Sequence, residues 1–129
     1  MRRRVFVLVV LFSLMAVAAE NKPQPKTFDF TQALLGLDGK AIQRGEPGKL
    51  VSMTLGDAAV EALETITEDD RGLSGAKKFE RDQLARKVYG QKTVVLSVEE
   101  LALIKERVGK VYGPLVVGSV WRLLDQSIK

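Results

Sequence analysis

Neither cysteine nor histidine occurs among the 129 residues. The chain therefore has no disulfide, no thiolate or imidazole metal ligand, and no nucleophile or general base of those two types. The side chains left for chemistry are carboxylates, amines, guanidinium groups and hydroxyls, and their spacing decides what they can do. Asp57, Glu61, Glu64, Glu68, Asp69 and Asp70 form a run of carboxylates with no basic residue between them. A calcium loop alternates its ligands around a central glycine and closes on a distal glutamate. Glu68, Asp69 and Asp70 are adjacent and lack that frame, so they are expected to form a solvated acidic helix end. Gly45-Glu46-Pro47-Gly48-Lys49-Leu50 contains a Gly-Lys pair, but Leu50 stands where a phosphate loop needs Ser or Thr to hold magnesium. A surface turn is the expectation there. No catalytic constellation emerges, and no cofactor or metal is implied.

The basic residues tell a similar story. After the carboxylate run come Lys77, Lys78, Arg81, Arg86 and Lys87, interrupted by Glu80 and Asp82. At ~100° per residue Lys77 and Arg81 share a side of a helix, while Arg86 and Lys87 point elsewhere. Aromatics for base stacking are sparse, which disfavours nucleic acid as a partner. The favoured reading is that the carboxylates, Glu61 and Glu64 among them, and the basic residues of the second helix, Lys77 and Arg81 among them, face each other or the solvent. The alternative is a polar surface matched to a neighbouring copy or another protein. Trp121, the only tryptophan, is expected in the core beside Val117 and Leu124; partly exposed, it would be the best interface anchor in the chain. Glycines 109, 113 and 118 suit helix ends and close packing.

Net charge is +4, but Arg2, Arg3 and Arg4 supply three of those units, and from Val5 onward the balance is +1. A general attraction to polyanions is therefore weak. Those arginines precede an apolar stretch from Val5 to Ala19 that ends in the small-x-small pattern Ala16-Val17-Ala18. At 15 residues it is shorter than the ~20 of a spanning helix, which favours a signal peptide over an anchor. Met15 supplies a second reading, in which translation begins there. The first start implies a periplasmic or secreted protein, the second a cytoplasmic or virion-associated one. Contact with a membrane is expected only through residues 5–19 if they remain uncleaved.

With 46% hydrophobic and 28% charged residues, the remainder has ordinary globular composition. Residues 20–27 are a polar linker with Pro23 and Pro25, and residues 28–129 make a single, mainly helical domain. Phe28-Asp29-Phe30 alternates like a short strand, and Asp38-Gly39 between apolar segments predicts a two-residue hairpin with both central residues at φ > 0. A first helix is expected over residues 54–67, with Thr54 and Asp57 as a capping box and Ile66 on its apolar stripe. A second runs from the Ser74 cap to Tyr89, burying Phe79, Leu84, Ala85 and Val88, with Gly90 past its end. Thr93 to Leu96 is a strand or an extended link. Ser97 and Glu100 form a capping box for a third helix carrying Val98, Leu101, Ile104, Val108, Val111 and Tyr112 inward. Gly113-Pro114 stops it and starts a fourth, with Val117, Val120, Trp121, Leu124 and Ile128 on one side. The fold class expected is mainly α: a small bundle of about four helices with an N-terminal β-hairpin.

Four segments, Phe28 to Phe30, Leu37 to Ile42, Leu96 to Lys105 and Val108 to Gly118, are similar to small proteins encoded by tailed phages and prophages. The resemblance spans about residues 28–124. It implies an accessory role, brings no functional residues with it, and favours the start at Met15. Together these readings point to a non-enzymatic interaction or assembly protein, with a protein partner or self-association and no evident small-molecule substrate. An exported binding module is the alternative, and nucleic-acid binding a weaker one.

Overall fold

The computed structural model describes residues 24–126. The apolar segment 1–19, residues 20–23 of the linker, and Ile128 lie outside the described residues. Four helices dominate: α1 (Leu55–Glu64), α2 (Gly75–Val88), α3 (Val98–Val111) and α4 (Pro114–Leu124). Four short strands accompany them: β1 (Lys26–Asp29), β2 (Gln43–Arg44), β3 (Val51–Ser52) and β4 (Thr93–Leu96). This is the mainly helical bundle expected. Among the described residues no helix is long and apolar enough to cross a membrane.

α1 starts where the Thr54 hydroxyl accepts from the Asp57 amide at 3.1 Å and the Asp57 carboxylate accepts from the Thr54 amide at 2.9 Å. It buries Leu55, Ala58, Ala59, Ala62 and Leu63. Three of those five are alanines, which lets the other helices come close, and α1 packs against α2, α3 and α4. The helix ends at Glu64 rather than at residue 67. Thr65 is already extended, its hydroxyl bonded back to the Glu61 carbonyl, and Ile66 lies exposed instead of on the apolar stripe. A β-branched run, Thr65-Ile66-Thr67, disfavours helix here. Thr67 then opens a short 3-10 turn over Glu68–Asp70.

In α2 the expected inward set is corrected at one position. Arg81, Leu84, Ala85 and Val88 face the core, and Phe79 is 60% exposed. Those four form an i, i+3, i+4, i+7 stripe, and Phe79 sits almost opposite it at ~100° per residue. Ser74 caps the helix and Gly90, at φ +70°, lets the chain leave it.

β1 and β4 pair antiparallel, with Phe28 opposite Val94 and both buried, so the segment from Thr93 to Leu96 is a strand. The strand begins at Lys26, so the last two residues of the expected linker belong to the folded domain. The chain does turn back around Asp38-Gly39, through a different loop. Gly39 donates to Gly36 O at 3.0 Å and Gly36 donates to Lys40 O at 2.8 Å. Gly39 is at φ +76° while Asp38 keeps a negative φ, as a three-residue loop ending in a left-handed glycine requires. The Asp38 carboxylate accepts from the Lys40 amide instead. Below the tip, three segments close a ring of backbone bonds: Ile42 donates to Leu34, Leu34 to Met53, and Met53 to Ile42, at 2.7–2.9 Å.

α3 carries the expected Ser97–Glu100 box, with bonds of 3.1 and 2.9 Å, and buries Ile104 and Val108. Val98 is exposed, however, because it is the first residue of the helix and projects beyond the core. Pro114 occupies the first turn of α4, where its missing N–H costs nothing.

Candidate functional site

Two polar centres stand out, one sealed and one open. The sealed centre lies where α1 ends. Asp70 sits beneath Arg81 of α2, whose guanidinium donates to its Oδ1 at 2.8 Å, and beside Arg107 of α3, at 3.3 and 3.4 Å. Arg107 is fully buried and also donates to the carbonyls of Ala62 and Thr65, at 3.2 and 2.8 Å. Those carbonyls lie at the end of α1, where the helix leaves acceptors unpaired and its dipole favours a cation. The Thr67 amide and hydroxyl bond Asp70 from the other side. The Arg81 guanidinium, with these bonds and Arg107, holds the Asp70 carboxyl well below the usual carboxylate range. The expectation of a solvated acidic end is corrected for Asp70: this carboxylate is buried because two helices each bring it a guanidinium. The cluster joins α1, α2 and α3 and is almost wholly closed to solvent.

The open centre is a groove between α1 and α2. One part, of about 450 Å³, is lined by Phe30, Arg44, Asp57, Glu61 and the ring of Tyr89 among others. The adjoining part, of about 470 Å³, is lined by Val60, Glu64, Asp82, Ala85, Arg86 and again Tyr89. Val60 and Tyr89 border both. Regular α1 spacing places Asp57, Val60, Glu61 and Glu64 on one face. Gly90 turns the chain at the end of α2 and leaves Tyr89 73% exposed.

The charges of the groove are unevenly neutralised. Arg44 bonds Glu61 at 2.8 Å and approaches Asp57 at 3.7 Å. Tyr112 donates its hydroxyl to Glu61, and burial together with that carboxylate pushes the phenol pKa up, so it stays a donor. Arg86 bonds Asp82 at 2.7 Å and holds its carboxyl below the ordinary value. Glu64 shares this one cation with Asp82. Burial first, then the hydrogen bond with Asp82, push its carboxyl up, so Glu64 takes on a proton before Asp82 does. The groove thus has an apolar middle, an exposed aromatic at its edge and an excess of negative charge.

Of the residues singled out from sequence, Glu61 and Glu64 are brought together on this groove. Arg81 is not at the surface: its Nη2 bonds Asp70 in the interior, and its Nη1 is buried with no partner among the described residues. Lys77 is exposed and, among the described residues, pairs only with Glu80, at 3.4 Å within its own helix. Trp121 is 40% exposed instead of in the core. Its Nε1 donates to the Lys105 carbonyl at 3.2 Å and the Lys105 ammonium lies 4.8 Å from its ring. It packs toward Gly109 of α3 and joins no other candidate residue.

Sequence reasoning missed Arg44, Tyr89 and Arg107. Arg107 follows Ile104 by three residues on the apolar stripe, and Thr67-Glu68-Asp69-Asp70 repeats the Thr-x-x-Asp spacing of the α1 cap; together they were a readable sign of a buried pair. Nothing local marked Arg44, which reaches Glu61 only through the β2–β3 turn. Comparison with protein-family models, curated proteins and solved structures gives no significant match.

Proposed function

We propose that this chain is a non-enzymatic protein–protein interaction or assembly protein that binds its partner along the α1–α2 groove. The observation that carries this is Tyr89, an aromatic ring standing exposed between two apolar hollows and rimmed by charge. Apolar centres with polar rims are the anatomy of protein-binding patches, and tyrosine is among the residues that concentrate binding energy there. The Thr54 hydroxyl lining the same groove accepts a capping bond, and the Thr31 hydroxyl donates to Asp29. The basic residues of α2 do not add up to a polyanion site. Arg81 is buried, and Arg86 and Lys87 are paired with Asp82 and Glu100. An accessory role in a phage or prophage setting is part of this proposal and rests on the resemblance of the four sequence segments alone.

Photo-crosslinking tests the reading. A benzophenone amino acid placed at Tyr89 or Val60 should give a defined adduct, while the same group at Asp38 on the hairpin tip should not. No adduct from the groove, or equal yields at all three positions, would reject it. Mass spectrometry of the native N-terminus separates the two compartments: a start near Ala19 means export, and a start at Met15 or just after it a protein made without the apolar segment.

A further inference from the structure

We infer that the partner of this surface includes a second copy of the chain, docked two-fold through antiparallel α2 helices. The inference rests on the interaction reading above and names the occupant.

Lys78, Phe79, Asp82, Arg86 and Tyr89 fall within about 100° of one another around α2, on a face that is exposed except at Asp82, which is half-buried beside Glu64 of α1. Their order is a palindrome in chemistry. Phe79 lies five residues before Leu84 and Tyr89 five after it; Asp82 lies two before and Arg86 two after. A two-fold axis crossing the outer face of α2 at the level of Leu84, whose own side chain points into the core, therefore sets Phe79 of one copy against Tyr89 of the other, twice. It also sets Asp82 against Arg86 of the other copy, twice. Isologous contacts demand this kind of self-complementarity. The Asp82–Arg86 pairs within each copy, 2.7 Å long, then meet inverted, giving a ring of four alternating charges. Glu64 stands beside Asp82 with a carboxyl that lacks its own cation, and the incoming Arg86 supplies one.

Parallel docking fails the same test, because it would oppose Arg86 to Arg86 and Asp82 to Asp82. The exposed aromatics follow too. Phe79 and Tyr89 are 60% and 73% exposed at the two ends of this face, and antiparallel docking covers all four rings. Opposite-charge pairing across the seam sets register, while the aromatic ends supply apolar burial.

Charge reversal on the full-length chain is the test, read by light scattering and native mass spectrometry at matched concentrations. Wild type should show twice the mass of the monomer. Asp82→Arg alone opposes arginines, and Arg86→Asp alone opposes aspartates, so each variant should fall to the monomer mass. Mixed in equal amounts they should recover a dimer containing one of each, since every reversed charge then meets its opposite. Both sites are at the surface, and unchanged far-UV circular dichroism checks that the variants fold. Phe79→Glu should also halve the mass. A monomeric wild type, a dimer indifferent to reversal, or a mixture without one-to-one dimer would overturn the inference. A monomeric wild type that still gives a Tyr89 adduct with another protein overturns the dimer and leaves the interaction reading; no adduct removes both.

Discussion

Arg107 and Asp70 meet in the interior across 37 positions of sequence, at 3.3 Å, with Arg107 wholly shielded from water. Two guanidinium groups surround one carboxylate, so ion pairing alone leaves an excess positive charge. The carbonyls of Ala62 and Thr65 absorb it, which explains why the cluster lies at the end of α1.

Arg107→Met keeps most of the side-chain volume but removes three sets of bonds at once. Asp70 loses one of its two cations and the α1 carbonyls lose their donor. Breaking a buried pair from one side costs about 3–5 kcal/mol. For a domain of this size that lowers the melting temperature by more than about 10 °C. Urea denaturation and thermal melts should show it, whereas a shift of a degree or two would mean the cluster contributes little.

The pH dependence follows from the depressed Asp70 pKa. Between that lowered value and the ordinary one near 3.8, the folded chain binds fewer protons than the unfolded chain. Stability from Asp70 is therefore complete above the ordinary value and is lost as pH falls below it. The urea midpoint of wild type should decline below about pH 4 more steeply than that of Asp70→Asn, which has no proton to take up there. Parallel declines in the two proteins would contradict the assignment.

Local signals in the chain were read well because they depend on neighbours a few residues apart. Thr54 with Asp57, Ser97 with Glu100, Ser74, Gly90 and Pro114 each act within one helical turn, and each is found in its expected role. Failures fall where the deciding partner is distant, except at Phe79 and the end of α1, which were decided locally. Arg81 looked like a surface charge because Asp70 lay outside its helix. Phe79 looked buried because it is large and apolar, although its angle on α2 opposed the core stripe. Trp121 is held half-open by Lys105, sixteen residues away. Of the groove, Glu61 and Glu64 were visible as spaced carboxylates, but Tyr89 becomes its edge only once α2 has packed on α1.

Glu64 offers a prediction of opposite sign to Asp70. Its carboxyl is raised in the folded chain, so that state binds more protons than the unfolded one just above the ordinary value of 4.5. Stability contributed here falls as pH rises through that window and recovers as pH falls. Glu64→Gln removes the poorly neutralised charge beside Asp82. It should raise the melting temperature slightly at pH 7 relative to wild type, with the difference vanishing near pH 4. A variant less stable than wild type at pH 7 would mean that Glu64 is adequately paired.

Ser119 decides how firmly the hairpin is tied to the bundle. Its hydroxyl, buried on α4, accepts from the Leu35 amide at 3.0 Å and donates to the Leu35 carbonyl at 2.8 Å. One side chain thus satisfies both backbone groups of a residue 84 positions earlier. Ser119→Ala leaves both without a protein partner. Leu35 is half-exposed, so water can replace part of the loss, which puts the cost near the lower end, at about 1 kcal/mol. The effect should be local, because the ring joining Leu34, Ile42 and Met53 does not involve the hydroxyl. In hydrogen exchange, the Leu35 amide should exchange far faster in the variant, while Ile104 in α3 keeps its wild-type rate. Equal acceleration at Ile104 would show that the hairpin and the helices open together, and that Ser119 supports the whole fold rather than the attachment of its N-terminal arm.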